Sequence, residues 1–225
     1  MASSLTIDVA FDPICPWCLI GKRHLAQAQR MFAEIESDVE VQVRWHAVQL
    51  LPDLPDEGLP FLEFYVRRLG SPQAVLTRQA QVNAAAASAG LQIDFSRIAR
   101  MPNTRLALRL LDYASTTGNG QQHDAVIEQL FGAHFLQGRN IGDVATLVTL
   151  AQACGFNGQV VHASLSDTAG TASASAQRPT AREGVPYFVF NGQYALAGAH
   201  PPKILLQAMR RALGRDVLLE EESAA

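Results

Sequence analysis

The stretch Phe11–Ile20, FDPICPWCLI, carries two cysteines, Cys15 and Cys18, with Pro16 and Trp17 between them. On its N-terminal side LTIDVAF (Leu5–Phe11) alternates apolar and polar residues as a half-buried strand does. On its C-terminal side Ile14, Leu19, Ile20, Leu25, Met31 and Phe32 recur at roughly helical spacing. A strand therefore runs into a helix through the cysteine pair. VEVQVRWHAV (Val39–Val48) alternates again, with Val39, Val41, Val43 and Trp45 on one face, so this part of the chain reads as a βαβ unit.

Further along, LPDLPDEGLP (Leu51–Pro60) is a proline-rich connection, and alternation disappears until near Val185. Helices are predicted in FLEFYVRRLG, in TRQAQVNAAAASAG closed by Gly90, and in LALRLLDYA capped by Asn103 or Thr104. Three more fit HDAVIEQLFGAHFLQ, DVATLVTLAQACG between Asp143 and Gly155, and QVVHASLSDTAGTASASAQRP. Strand character returns in VPYFVFNGQYALAG, where Asn191-Gly192 favours a tight hairpin because both positions require positive φ. PPKILLQAMRRALG then makes a last helix with Ile204, Leu205, Ala208, Met209 and Leu213 on one stripe. The order is β-α-β, a helical block, then β-β-α. It predicts an α/β fold with one mixed sheet, interrupted by a helical subdomain: residues 1–50 and 179–215 form the sheet portion, 51–178 the insertion with its connections, and 216–225 a polar tail.

The 225 residues are 48% hydrophobic, enough for a sizeable core. A net charge of −3 from 18 basic and 21 acidic residues spread along the chain argues against nucleic-acid and anionic-membrane partners. No segment approaches the roughly 20 apolar residues of a membrane-spanning helix, and the N-terminus lacks a secretion-signal pattern, so the cytoplasm is the expected compartment. Three cysteines are too few for a disulfide scaffold, and a close pair in a reducing compartment points to catalysis or metal binding. A closed zinc site needs four ligands; beyond the pair the chain offers His24 and the distant Cys154, which reads as a buried apolar side chain, so no metal is expected.

A Cys-x-x-Cys at a strand-to-helix junction places its first sulfur in the opening turn, where unpaired N–H groups and the helix dipole favour an anion. The second lies one turn on, close enough to close a ring and more screened. Cys15 is the expected attacker and Cys18 the resolver. Pro16 suits an early helical position, and Trp17 adds apolar surface. Gly184-Val185-Pro186-Tyr187 precedes the hairpin, where a Val-Pro bond is ordinarily trans. His46, near a strand end, and Asn103, at a helix start, are secondary site candidates, although a packed histidine and a helix cap are their simpler readings. His24 reads as part of a solvated basic face, His123, His134, His162 and His200 lack evident partners, and Phe61, Phe64 and Tyr65 read as core.

With CPWC and GVPYF set in this frame, the chain resembles the DsbA-like thioredoxin-fold superfamily, and within it the FrnE-type branch. DPICPWCLIGKRHL, MPNTRLALRLL, QGRNIGD and GVPYFVFNGQYALAGAHPPK carry the resemblance, which runs from about Leu5 to Leu213. It implies a thioredoxin fold with an inserted helical domain, thiol–disulfide exchange on protein or small-thiol substrates, and a cis Pro186. A cis bond there would turn the Val185 backbone towards an extended peptide or glutathione. The resemblance also implies no bound cofactor, glutathione as a co-substrate, and a homodimer as an available assembly. Glutathione-dependent kappa-class transferases and 2-hydroxychromene-2-carboxylate isomerases share the frame but typically carry serine at the first cysteine, so the retained pair favours redox chemistry over that alternative. A binding module with an unreactive pair is the third reading.

Overall fold

The structure is a computed structural model that describes residues 3–167 and 184–215. Strand β1 (Ser3–Phe11) leads through the cysteine motif into helix α1 (Pro16–Ile35), and β2 (Val39–Ala47) returns parallel to β1, with Leu5, Ile7 and Val9 opposite Val41, Val43 and Trp45. The chain closes with the hairpin β5 (Tyr187–Phe190) and β6 (Tyr194–Ala197) and helix α8 (Pro202–Arg211). The sheet has the order β2-β1-β5-β6, and β5 runs antiparallel to both neighbours. One face of this mixed sheet buries Leu5, Ile7, Val9, Phe188 and Phe190 against Leu25, Ala28 and Phe32 of α1 and Leu205, Ala208 and Met209 of α8. Each fully buried Phe or Leu there contributes about 1.5–3 kcal/mol. Ile204, expected on that stripe, is instead 39% exposed, because the helix turns its Leu205, Ala208 and Met209 inwards.

The hairpin turn has Asn191 at φ 48° and Gly192 at φ 67°, and Gln193 N donates to Phe190 O. Asn191 also extends the sheet: its amide N donates to Thr6 O, its Oδ1 accepts from Thr6 N, and its Nδ2 donates to Ala212 O beyond α8. One side chain thus joins the turn, the central strand and the last helix.

Between β2 and β5 lie α2 (Phe61–Leu69), α3 (Pro72–Ser88), α4 (Arg105–Thr117), α5 (Gly120–Phe131), α6 (Val144–Ala153) and α7 (Gly158–Ser166). Helix α3 starts five residues before the predicted TRQAQ segment, at Pro72, behind the N-cap Ser71, whose side chain accepts from Ala74 N. Helix α6 is capped by Asp143 through Thr146 N. Helix α7 ends at Ser166, with Asp167 in extended backbone, and the predicted QVVHASLSDTAGTASASAQRP helix from residue 168 on, like the 216–225 tail, lies outside the described residues. A short ladder, β3 (Leu59–Pro60) antiparallel to β4 (Arg100–Met101), pins the proline-rich connection where no strand was predicted. Leu110, Leu111, Ile127, Leu130, Phe131 and Leu147 centre the helical core, and Phe11, Cys18, Leu19 and Ile20 from the β1–α1 junction pack into it.

Lys22 and Arg23 of α1 both bind Glu128 of α5, Lys22 at 2.8 Å. The arginine bond, more than burial costs, holds the Glu128 carboxyl down to about 2. His24, expected on a solvated face, is buried: its Nδ1 lies 2.9 Å from His200 O and its Nε2 3.4 Å from Ser88 Oγ. His200 therefore has partners too, its Nε2 standing 2.9 Å from Ala197 O. No helix among the described residues is long and apolar enough to cross a membrane.

Candidate active site

The end of β1 is turned into α1 by Asp12. Its carboxylate oxygens accept from Ile14 N at 3.1 Å, Leu50 N at 2.8 Å and Thr104 Oγ1 at 3.3 Å, and its backbone carbonyl accepts from Cys15 N at 3.0 Å. This one fully buried side chain ties the motif loop to the segment after β2 and to the start of α4. Burial raises its pKa to about 7 against the lowering effect of the three donors. An acid so placed is neutral in acid and becomes charged close to neutrality. In the ¹³C NMR spectrum one buried aspartate carboxyl should titrate with a midpoint near 7 and vanish in Asp12→Asn; a midpoint at the ordinary carboxylate position would contradict the burial argument.

Cys15 is the N-cap of α1, with extended backbone (φ −88°, ψ 113°), and Pro16 occupies the first helical position, where its missing N–H costs nothing. The Cys15 side chain does not cap the helix; its Sγ donates instead to Val185 O at 3.7 Å. The Val185–Pro186 peptide is cis. Pro186 is buried, and Gly21 of α1 packs beneath it: a Cβ at Gly21 would come within 3.1 Å of both Pro186 Cγ and the Phe188 ring. The hairpin entry and the cysteine helix meet there so closely that a methyl group would need its neighbours to give by a few tenths of an ångström.

Cys15 is 7% exposed and Cys18 2%, and both are free thiols. Cys18 N donates to Cys15 O at 3.0 Å, so the two cysteines share the first turn of α1. Burial, followed by the neighbouring Cys15 thiol, pushes the Cys18 thiol well above its ordinary value; the nearby Asp12 charge acts in the same direction. Cys18 is therefore held protonated at neutral pH.

Cys15, Pro16 and Trp17 border a cleft of about 360 Å³. Its opposite side comes from α2 and α3, including Phe61, Phe64 and Tyr65, so two of the residues read as plain core (Phe64 and Tyr65) are half-buried walls of the site. Spacing alone could not show this, because a residue facing a cleft and one facing a core recur with the same period. The Tyr65 hydroxyl is pushed up to about 12, by burial first and then by Cys15, with Arg68 and Arg78 pulling it down.

Neither Asn103 nor His46 lines the cleft. Asn103 Oδ1 accepts from Arg105 N and Gln49 Nε2, and its Nδ2 donates to Leu54 O, which fixes the α4 start against the loop after β2. His46 Nε2 lies 2.7 Å from Asp8 Oδ1, on the strand positions that alternate with those packed against α1. Asp12 escaped the sequence reading altogether; the signal was an acidic residue three positions before the first cysteine, at a strand end. Among the described residues no group of three or more His, Cys, Asp or Glu side chains is placed to hold a metal ion.

Comparison with known proteins bears on this geometry. Residues 6–210 match the family model of the DSBA-like thioredoxin domain. A structure titled "probable DsbA oxidoreductase", from Streptomyces coelicolor, is 28% identical and aligns with a TM-score of 0.81 over 96% of this chain and 93% of that one. A 2-hydroxychromene-2-carboxylate isomerase, 16% identical, shares the fold with a TM-score of 0.65 over 94% of this chain and all (100%) of its own. The uncharacterized protein YwbO of Bacillus subtilis (strain 168) is 26% identical over 152 residues, 68% of this chain and 67% of the relative.

Proposed function

The chain belongs to the DSBA-like thioredoxin domain family, and on that premise we propose that it is a thiol–disulfide oxidoreductase in which Cys15 attacks and Cys18 resolves. The observation that carries this reading is the pairing of two free cysteines in the first turn of α1, the first bordering a cleft and the second sealed in the core. In the reducing direction the Cys15 thiolate attacks a substrate sulfur, the substrate disulfide breaks, and one thiolate leaves with a mixed disulfide formed on Cys15. Cys18 then loses its proton and attacks Cys15 Sγ. The second substrate thiolate leaves, and the Cys15–Cys18 disulfide closes.

Asp12 bears on that second step. Its charge opposes a thiolate at Cys18, so taking up a proton at Asp12 and losing one at Cys18 favour each other. In a reducing compartment such as the cytoplasm, glutathione would serve as the co-substrate that restores the dithiol. The quoted FrnE-type segments support placing the chain in that branch of the family.

The reading is tested by trapping. Reduced Cys18→Ala mixed with the neutral disulfide dithiodipyridine is expected to hold a stable adduct on Cys15, located by peptide mass mapping. Wild type should pass through that adduct to an internal disulfide. If Cys15 stays unmodified in the variant and the pair stays reduced in wild type, the proposal fails.

A further inference from the structure

We propose that the cleft beside Cys15 binds a low-molecular-weight disulfide with an aromatic body and a negatively charged substituent, and that Arg68 and Arg78 select the charge. This rests on the exchange reading above and names its substrate class. Three features of the cleft carry it.

Size comes first. A volume of about 360 Å³ lies at the small end of ligand pockets, which span roughly 300–1,000 Å³. With Cys15 only 7% exposed, a slender ligand entering the cleft reaches the sulfur more readily than the surface of a folded protein.

The wall is aromatic. Phe61 and Tyr65 have ring centroids 4.8 Å apart, Phe64 and Tyr65 meet edge to face at 5.1 Å, and Phe95 stacks on Phe61 at 6.2 Å. A continuous ring surface of this kind accepts one more ring in offset or edge contact.

The charge is one-sided. Arg68 follows Phe64 and Tyr65 by about one turn of α2, and Arg78 stands between Val75 and Val82 on α3, so both lie on the faces turned to the cleft. Both are exposed, and neither is ion-paired with a described residue, whereas Arg67 beside them is bound to Glu63. No lining residue is acidic. The Tyr65 hydroxyl lies in the field of both arginines and of Cys15, which puts the two positive charges and the attacking sulfur around one small volume. A carboxylate or sulfonate there gains both cations and meets no opposing charge.

The reaction balances as a two-electron exchange. Cys15 thiolate displaces one aryl thiolate from the ligand, Cys18 displaces the second from Cys15, the protein dithiol is oxidised, and its two protons pass to the aryl thiolates or to water. The experiment uses the full chain in a Cys154→Ser background, so that only the motif reports. Oxidation rates are measured with dithiobis(nitrobenzoate), which carries carboxylates, with neutral dithiodipyridine, and with aliphatic, cationic cystamine, each normalised to the rate of a free peptide thiol.

Arg68→Gln combined with Arg78→Gln is expected to slow the first reagent about tenfold and leave the second unchanged. Phe64→Ala should slow both aromatic reagents relative to cystamine. The equal charge change at two remote exposed positions, Arg30→Gln with Arg44→Gln, should change nothing. Equal slowing of both aromatic reagents by the first pair, equal slowing by the remote pair, or no aromatic preference would each overturn the assignment. Failure of all three reagents to oxidise the motif would instead sink the exchange reading beneath it.

Discussion

Replacing Cys15 by serine is expected to lower the rate of disulfide exchange by more than about a thousandfold, because an alcohol at that position offers no thiolate and nothing else in the cleft is a nucleophile of comparable strength. The paired expectation concerns Cys18→Ala. That variant keeps the first attack and loses turnover, since the mixed disulfide then waits for an outside thiol. Stopped-flow oxidation, followed by mass analysis of the captured species, separates the two. A Cys15→Ser protein that still exchanged at a comparable rate would transfer the chemistry to one of the two remaining cysteines, Cys18 or Cys154, the latter standing at the end of α6 away from the cleft. Selective labelling gives an independent check. With iodoacetamide at neutral pH, Cys18 should remain unmodified in the folded protein, because burial keeps its thiol protonated and covered.

A second large effect is expected from His134, in the core of the helical part. It lies within a π-helical turn (Gly132–Leu136) that follows α5, 1% exposed, with its ring edge against Phe135 at 4.6 Å. Neither ring nitrogen reaches a partner at bonding geometry among the described residues. Burial lowers its pKa to about 4, and the backbone of Arg139 offsets this only in part. A base whose folded value lies below its unfolded value of about 6.5 favours the native state above 6.5, and that contribution is lost as the pH falls towards 4. The full loss amounts to about 3 kcal/mol. Denaturant unfolding at pH 7 and in mild acid should show most of that difference in the gap between wild type and His134→Phe, the variant being more stable at both values; the contribution of Asp12, opposite in sign, is common to the two proteins and cancels. Identical pH dependence in wild type and variant would mean that the imidazole meets acid with a partner after all. The ring belongs to a π turn, which inserts one extra residue into the register that α5 would otherwise continue.

Much of this architecture could be read from residue order. The β1–α1 junction, the second strand, the Asp143 cap and the Asn191-Gly192 hairpin follow from local rules, because each depends on a few neighbouring residues with strong preferences. Other features depended on contacts between distant segments. The Leu59–Pro60 ladder to Arg100–Met101 is two residues long and carries no alternation to detect. Asp12 looks like an ordinary loop acid until Leu50 and Thr104 arrive to donate to it. His24 sits in a basic run that suggests solvent, yet α3 and the loop before α8 close over it. Ile204 and Leu205 are equivalent by composition, and only packing decides which is covered. The cleft was least legible, since its walls come from α1, α2, α3 and three connecting segments, and only their meeting creates the space beside the sulfur.

Helix α1 belongs to both cores. Its opening residues Cys18, Leu19 and Ile20 are buried among the central helices, while Leu25, Ala28 and Phe32 further along are buried against the sheet. A single rigid rod anchored at both ends transmits loosening at either end to the other. Excising the segment between β2 and β5 would therefore do more than delete one wall of a cavity: it would strip the shield from Cys18, bring its thiol into contact with water, and leave two competing surface thiols where the fold holds one at the cleft and one under cover.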